Sequence, residues 1–260
     1  MNNFQEFAER FARKAGAIAR DNFTLGMARQ WKSDSTPVTE TDLKVNTLLI
    51  KEVKELFPGH SVKGEEESNM LAGAEYVWVC DPIDGTIPFS HGIPTFTFSL
   101  ALTHNGESIL GVVYDPIGDR LFSAAKGEGA YLNGKKITVS QDESVKGVVG
   151  AFEMFDRAIY DIFPLVQQLL VEGSQMMALC SIIYPSMLLA AGEVGFTIFP
   201  HNTAHDAAAV KIIVEEAGGK VTDIFGEEQR YDQDVKGFIA SNGKLHEKLV
   251  EMSKQLVIKK

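Results

Sequence analysis

The short apolar run Tyr76-Val-Trp-Val-Cys80 leads directly into Asp81-Pro-Ile-Asp-Gly-Thr86. A run this brief, rich in aromatic and β-branched side chains and without helical period, predicts a buried strand. Its end then carries two carboxylates three positions apart. Pro82 restricts the backbone between them, so both can be aimed at one point. Gly85 permits a tight turn and a close approach of backbone to ligand. The N–H groups that follow could open a short helix and cradle a phosphate. Carboxylates together with a free carbonyl such as that of Ile83 suit magnesium, which demands hard oxygen ligands. The competing reading is a polar turn that uses Asp and Gly for turn chemistry.

The segments around this turn predict a mixed fold. Phe4, Phe7, Ala8, Phe11, Ala12, Ala15, Ile18 and Ala19 recur at helical spacing, which marks an amphipathic helix. A polar loop, Lys32–Pro37, follows. Thr39 or Thr41 caps a second helix with Leu43, Val45, Leu48, Leu49, Val53 and Leu56 as its apolar face, ended by Pro58-Gly59. Beyond Thr86, strands at Phe96–Thr103, Ile109–Tyr114, Arg120–Ala125 and Ala130–Val139 are separated by Asn105-Gly106, Gly118-Asp119 and Asn133-Gly134. These turn signals predict an antiparallel meander. Later helices are expected at Ala158–Val171, Pro185–Gly192, His205–Ala217 and Lys244–Leu256, with strands at Val194–Phe199, Lys220–Asp223 and Gly237–Ser241. The pattern is α+β, sheets layered with helices. No Pro/Gly/Ser linker divides the 260 residues, so one domain is expected, made of two close halves near 1–140 and 141–260.

The formal charge of -10 argues against nucleic acid, which needs clustered Lys and Arg. It would also repel a phosphorylated substrate unless cations sit in the site. Cys80 and Cys180 are the only cysteines, so a reducing cytoplasm is expected rather than a disulfide framework. The charged N-terminus does not read as a signal peptide, and no membrane partner is expected.

Two further acidic clusters flank the central one. Gly64-Glu65-Glu66-Glu67 taken alone reads as a solvated loop, and Asp206 of His205-Asp206 as a helix cap. Their order and spacing carry more. The chain resembles the inositol monophosphatase superfamily over nearly its whole length. The resemblance runs through Thr36-Pro-Val-Thr-Glu-Thr-Asp42, Gly64-Glu65-Glu66, Val77–Thr86, Gly111–Pro116, Ala125–Tyr131, His205-Asp206-Ala-Ala-Ala and Glu215–Gly219.

That resemblance implies an α-β-α-β-α sandwich of the sugar-phosphatase type and a homodimer. It also implies hydrolysis of a small phosphate monoester by a metal-activated water, with two or three magnesium ions per site. Glu65, Asp81 and the Ile83 carbonyl match ligands of one ion, and Asp81, Asp84 and Asp206 match ligands of a second. Gly85 and Thr86 match the phosphate-binding turn, with Asp84 and Asp206 also facing the substrate. Asp42 and Thr86 match the pair that orients the water, beside Glu65.

The chain departs from the family pattern around the alcohol. Ile87-Pro88-Phe89 follows Thr86, and Pro88 removes a backbone donor. His205 stands where a large aromatic residue is usual. Phe199, followed by Pro200-His201, occupies a position that often carries an acidic group reading an inositol hydroxyl. Leu179–Ile183 lacks the expected small residues. Inositol monophosphate comes first among substrates and histidinol phosphate second, ahead of sugar bisphosphates and phosphoadenosine phosphate.

Several residues carry competing readings. His201 and His205 have the spacing of a helical zinc pair but read better as pocket or surface histidines. Cys180 reads as packing, Trp31 and Trp78 as core, and Lys32 as either solvated or facing the site. Asp81 as a covalent nucleophile of the haloacid-dehalogenase kind is disfavoured, because that signature spaces its aspartates two apart. An EF-hand fails at Gly92, where a Glu is needed. A metal- and phosphate-binding regulatory protein is the non-enzymatic alternative.

Overall fold

The structure, a computed structural model, describes residues 2–25, 30–31 and 37–260. Lys32 and the side chain of Trp31 lie outside the described residues. The chain opens with helix α1 (Asn2–Asn22) and a short ribbon, β1 (Gln30–Trp31) with β2 (Pro37–Val38), followed by helix α2 (Glu40–Leu56). In α1, Phe7, Ala8, Phe11, Ala12, Ala15 and Ala19 are buried, the stripe that the periodicity predicts. Helix α2 starts at Thr39 through a capping box in which Asp42 is the third helical residue. Its buried stripe runs from Val45 through Leu49 and Ile50 to Val53. Leu43 falls on the flank and Leu56 in the terminal turn, and both are about half exposed, which corrects their placement on the apolar face.

Next come β3 (Ser61–Gly64), β4 (Ser68–Asn69), β5 (Tyr76–Asp84), the short helix α3 (Thr86–Ser90), β6 (Thr97–His104), β7 (Glu107–Asp115), β8 (Arg120–Ala125), β9 (Gly129–Leu132) and β10 (Lys135–Lys136). They form one eight-stranded sheet in the order β10-β9-β8-β7-β6-β5-β3-β4. The meander from β5 to β10 is antiparallel, as its turn signals predict, with Asn105, Asp119 and Asn133 in the left-handed region. The sequence does not announce β3, which lies parallel to β5.

The remainder holds β11 (Val149–Phe152), β12 (Tyr160–Asp161), α4 (Phe163–Val171), β13 (Gln175–Met177), α5 (Ile183–Ala190), β14 (Phe196–Phe199), α6 (Ala208–Glu216), β15 (Lys220–Thr222), β16 (Phe238–Ser241), α7 (His246–Leu256) and β17 (Ile258–Lys259). A second, mixed sheet runs β13-β11-β14-β16-β15. The helix expected from Ala158 begins only at Phe163. Tyr160 and Asp161 pair instead with Lys259 and Ile258, and Pro164 favours a helix start at that point.

Five layers result. Helices α1 and α2 cover one face of the large sheet on Trp78, Leu100 and Val112. Helices α5 and α6 fill the space between the sheets, meeting Val79, Val113 and Phe122 on one and Phe238 and Ala240 on the other. Helices α4 and α7 close the far side over Phe196, Ile198 and Ile239. This is the expected α-β-α-β-α sandwich. Close seating of α6 on β7 depends on Gly111, where a Cβ would lie 3.1 Å from the Ala209 carbonyl and 2.5 Å from Ile212. That seating brings the chain before α6 to the end of β5.

Candidate active site

Strand β5 runs beyond the apolar residues as far as Asp84, and a register shift between Asp81 and Asp84 re-aims it. Both carboxylates are buried, at 2% and 3% exposure. The Ile83 N–H donates to Asp81 Oδ1 at 3.0 Å and holds the turn. Asp84 is gripped from two sides. Ile182 N–H donates to Oδ1 at 3.1 Å. Oδ2 accepts from Tyr184 N–H at 3.1 Å, from the Thr97 hydroxyl at 3.2 Å and from the Ser181 hydroxyl.

Asp206 lies in the turn just before α6, held by the Thr203 hydroxyl and 3.5 Å from His205 Nε2. The helix begins at Ala208, three residues later than the sequence suggests, and carries no side-chain cap, so Asp206 is not acting as one. The ligand atoms of Asp81, Asp84 and Asp206 lie within 4.8 Å of one another. Glu65 stands outside this trio but lines the same cavity. Its N–H donates to the Cys80 carbonyl at 3.1 Å, which places it beside Asp81 across the β3–β5 pairing. Glu65 and Glu66 therefore face the site, while Glu67 is exposed and its carbonyl accepts from Asn46 at 2.8 Å.

Gly85 takes a φ of 85°, and a Cβ there would sit 2.8 Å from the Thr95 carbonyl, so the turn requires glycine. Thr86 Oγ1 lies 3.1 Å from the Ile83 carbonyl and 3.5 Å from Asp42 Oδ1. The other oxygen of Asp42 accepts from the Thr39 N–H at 2.9 Å and from the Thr39 hydroxyl. The capping residue of α2 thus aims Asp42 at Thr86.

These groups open into a cavity of about 420 Å³, also lined by Glu153, Phe155, Arg157, Phe199, His201 and Asn202. His201 and His205 are pocket residues, as expected; among the described residues neither belongs to a metal-binding cluster. His201 Nε2 accepts from the Phe155 N–H at 3.4 Å, and burial pushes this imidazole down to about 4. Cys180 corrects its reading as packing. It is exposed, sits at a left-handed φ of 54° and lines the cavity, because the chain must turn there to present Ser181 to Asp84.

Burial and mutual repulsion govern the electrostatics. Asp81 is raised well above the usual carboxylate range by burial, then by Glu65, Asp206 and Asp84. Burial and Asp206 push Asp84 up to about 6, against its donors. Asp206 is raised by burial, and Asp42 is brought to about 7 by burial with Glu65 adding repulsion. Buried carboxylates this close disfavour their own ionisation unless cations join them. A donor set of carboxylate and carbonyl oxygens, with no thiolate and no imidazole in the trio, suits a hard divalent ion.

Sequence reasoning missed the Thr97, Ser181 and Thr203 hydroxyls and the carboxylate of Glu153. Only Glu153 had left a signal, as the lone charge in Val148–Phe155.

Comparison with known proteins agrees with this geometry. Residues 1–257 match the family model described as the inositol monophosphatase family. The chain is 34% identical over 220 residues to a fructose-1,6-bisphosphatase/inositol-1-monophosphatase of Thermotoga maritima, covering 85% of this chain and 83% of the relative. It is likewise 34% identical over 267 residues to inositol monophosphatase 2 of Solanum lycopersicum, covering 96% and 97%. A solved Thermotoga maritima IMPase superposes with a TM-score of 0.88 at 31% identity, covering 98% of both chains. The chain belongs to the inositol monophosphatase family and is a phosphoric monoester hydrolase.

Proposed function

We propose that the protein hydrolyses a small phosphate monoester in a magnesium-dependent reaction, with inositol monophosphate as the first candidate. The observation that carries this reading is the convergence of Asp81, Asp84 and Asp206 beside the Asp42–Thr86 pair in one cavity. Asp81, Asp84, Asp206, Glu65 and the Ile83 carbonyl would hold the ions. When bound, magnesium supplies positive charge for the phosphoryl oxygens and the leaving oxygen, and activates water.

The protein's own groups position the reactants. The proton of Thr86 Oγ1 has two acceptors, the Ile83 carbonyl and Asp42 Oδ1. The hydroxyl therefore keeps a lone pair to accept a hydrogen bond from the attacking water and orient it toward phosphorus. Asp42, whose carboxyl is raised chiefly by burial, can take up the proton that the water releases. The turn at Gly85 and Thr86 would seat the phosphate, with Asp84 and Asp206 beside it. Attack forms the new P–O bond as the ester P–O bond breaks; the departing alcohol oxygen takes a proton from solvent, and Asp42 returns the water's proton to solvent. Most of the acceleration comes from placement and charge. A homodimer in a reducing cytoplasm completes the proposal, supported by the family resemblance and by two unpaired thiols. Among the described residues no helix is long and apolar enough to cross a membrane.

Phosphate release from inositol 1-phosphate, histidinol phosphate, fructose 1,6-bisphosphate and phosphoadenosine phosphate, with magnesium and with a chelator, tests the reading. Magnesium-dependent release with inositol 1-phosphate preferred is the expected result. Release unaffected by the chelator would overturn the metal assignment, and preference for another ester would overturn the substrate.

A further inference from the structure

The cavity has a second carboxylate wall that the chemistry above does not use. Glu153 follows the last residue of β11, and its N–H donates to the Ile198 carbonyl at 3.3 Å. Parallel pairing of β11 with β14 sets Phe152 against Ile198, so Glu153 stands beside Phe199 at the ends of adjacent strands. Phe199 is fully buried, its ring packed on His201 and Phe238, and offers no polar atom to the cavity. The polar group at this end of the sheet comes from the neighbouring strand.

Glu153 is 7% exposed and lines the cavity. It does not belong to the trio of carboxylates that come within 4.8 Å of one another. Among the described residues, no donor is hydrogen-bonded to its carboxylate. Burial raises its carboxyl well above the usual range, and the charges of Asp206, Asp84 and Glu65 raise it further against Arg157. The carboxylate lies on the cavity wall, where a donor carried by the substrate can reach it. Glu153 shares the cavity with Asp84, Asp206 and Thr86, and enters it from the second sheet, whereas Asp84 and Thr86 enter from the end of β5. An in-line displacement sends the leaving alcohol to the side opposite the attacking water.

We infer that Glu153 is a specificity-determining residue that accepts a hydrogen bond from the alcohol portion of the substrate. It therefore selects phosphate esters whose alcohol carries a hydroxyl or ammonium donor beyond the ester oxygen. This inference rests on the phosphatase reading of the same cavity. A site built to pair a donor discriminates strongly against esters lacking one, because its buried acceptor is then left empty.

The test compares kcat/KM for inositol 1-phosphate and histidinol phosphate with that for p-nitrophenyl phosphate, whose leaving group has no such donor. Wild type, Glu153→Leu and Glu153→Gln are measured at saturating magnesium. Glu153→Leu should reduce the ratio of donor-bearing to donor-free ester by about 10- to 100-fold. Glu153→Gln keeps an acceptor but no charge, and also covers the case in which the leucine variant does not fold. A loss of less than about tenfold in the glutamine variant assigns the donor as hydroxyl, and a loss equal to that of leucine assigns it as ammonium. An equal fall on all three esters, or a raised magnesium requirement, would overturn the inference in favour of a metal-supporting role. An unchanged ratio in both variants would overturn it outright. Absence of phosphate release from all three esters by the wild-type protein would instead refute the phosphatase reading and the inference with it.

Discussion

The N–H of Ile182 donates to Asp84 Oδ1 at 3.1 Å across 98 residues of sequence. With Ser181, Tyr184 and Thr97 on the other oxygen, Asp84 is held by β6 of the large sheet on one side and by the start of α5 on the other. Partners of this kind orient a metal ligand, and their loss typically costs 10- to 100-fold in metal affinity. Ser181→Ala should therefore raise the magnesium concentration for half-maximal activity by about tenfold, with kcat at saturation falling less. A magnesium titration of activity checks this. An unshifted midpoint would mean that Ser181 serves only to pack α5.

Asp84→Asn separates the metal role from the structural one. An amide has one acceptor oxygen, so it can serve either Ile182 N–H or Tyr184 N–H but not both, at a cost of about 1–3 kcal/mol. Removing one of several repelling buried carboxylates offsets that cost. The variant should keep its fold and a melting temperature near that of the metal-free wild type. Its kcat should fall by at least about 10³-fold, since metal charge contributes several kcal/mol to the transition state. Circular dichroism with phosphate release reads both, and an active variant would show the cluster to be misassigned.

Thr86 offers a test of the water-orienting geometry. Its hydroxyl lies 3.5 Å from Asp42 Oδ1, at the long end of hydrogen-bond range, as is common for catalytic pairs without substrate. Thr86→Ala should lower kcat by about 10²- to 10⁴-fold with little change in KM. A pure rise in KM would place Thr86 in substrate binding instead.

How much of this was legible in the sequence follows from the range of the interactions. Asp81, Asp84 and Gly85 sit in one hexapeptide whose strand, proline and glycine act locally, so their shared turn could be read directly. Helix α1 and the β5–β10 meander likewise declare themselves by period and turn residues. The family resemblance pointed to Glu65 and Asp206, but nothing local aims them, because their approach depends on β3 lying parallel to β5 and on α6 seating against Gly111. Ser181 was not legible as a site residue, and Glu153 showed only as the lone charge in an apolar segment. Ser181 reaches Asp84 through a left-handed Cys180, and Glu153 gains its place from the β11–β14 register. The mistaken helix at Ala158 has the same origin, since pairing with β17 at the far end of the chain overrides local propensity.

His246 provides a pH signature remote from the site. Its ring is 2% exposed, with Nε2 3.0 Å from the Thr222 hydroxyl and Nδ1 3.0 Å from the Ser241 hydroxyl. Burial, aided by Lys220 and Lys211, pushes it down to about 4. The unfolded chain protonates the same ring near pH 6.5. Between about 6.5 and about 4 the unfolded state therefore binds the extra proton. The contribution of the neutral ring is complete above about 6.5 and is lost as pH falls toward 4. The site carboxylates titrate in this window with the opposite sign, so the measurement is the difference between wild type and His246→Gln at saturating magnesium. That difference should be about 1–3 kcal/mol in favour of wild type at pH 8. It should shrink as pH falls from 6.5 to 4.5, by at most about 1.4 kcal/mol per unit. A difference that stays constant across this range in denaturant unfolding would show that His246 is charged in the folded protein.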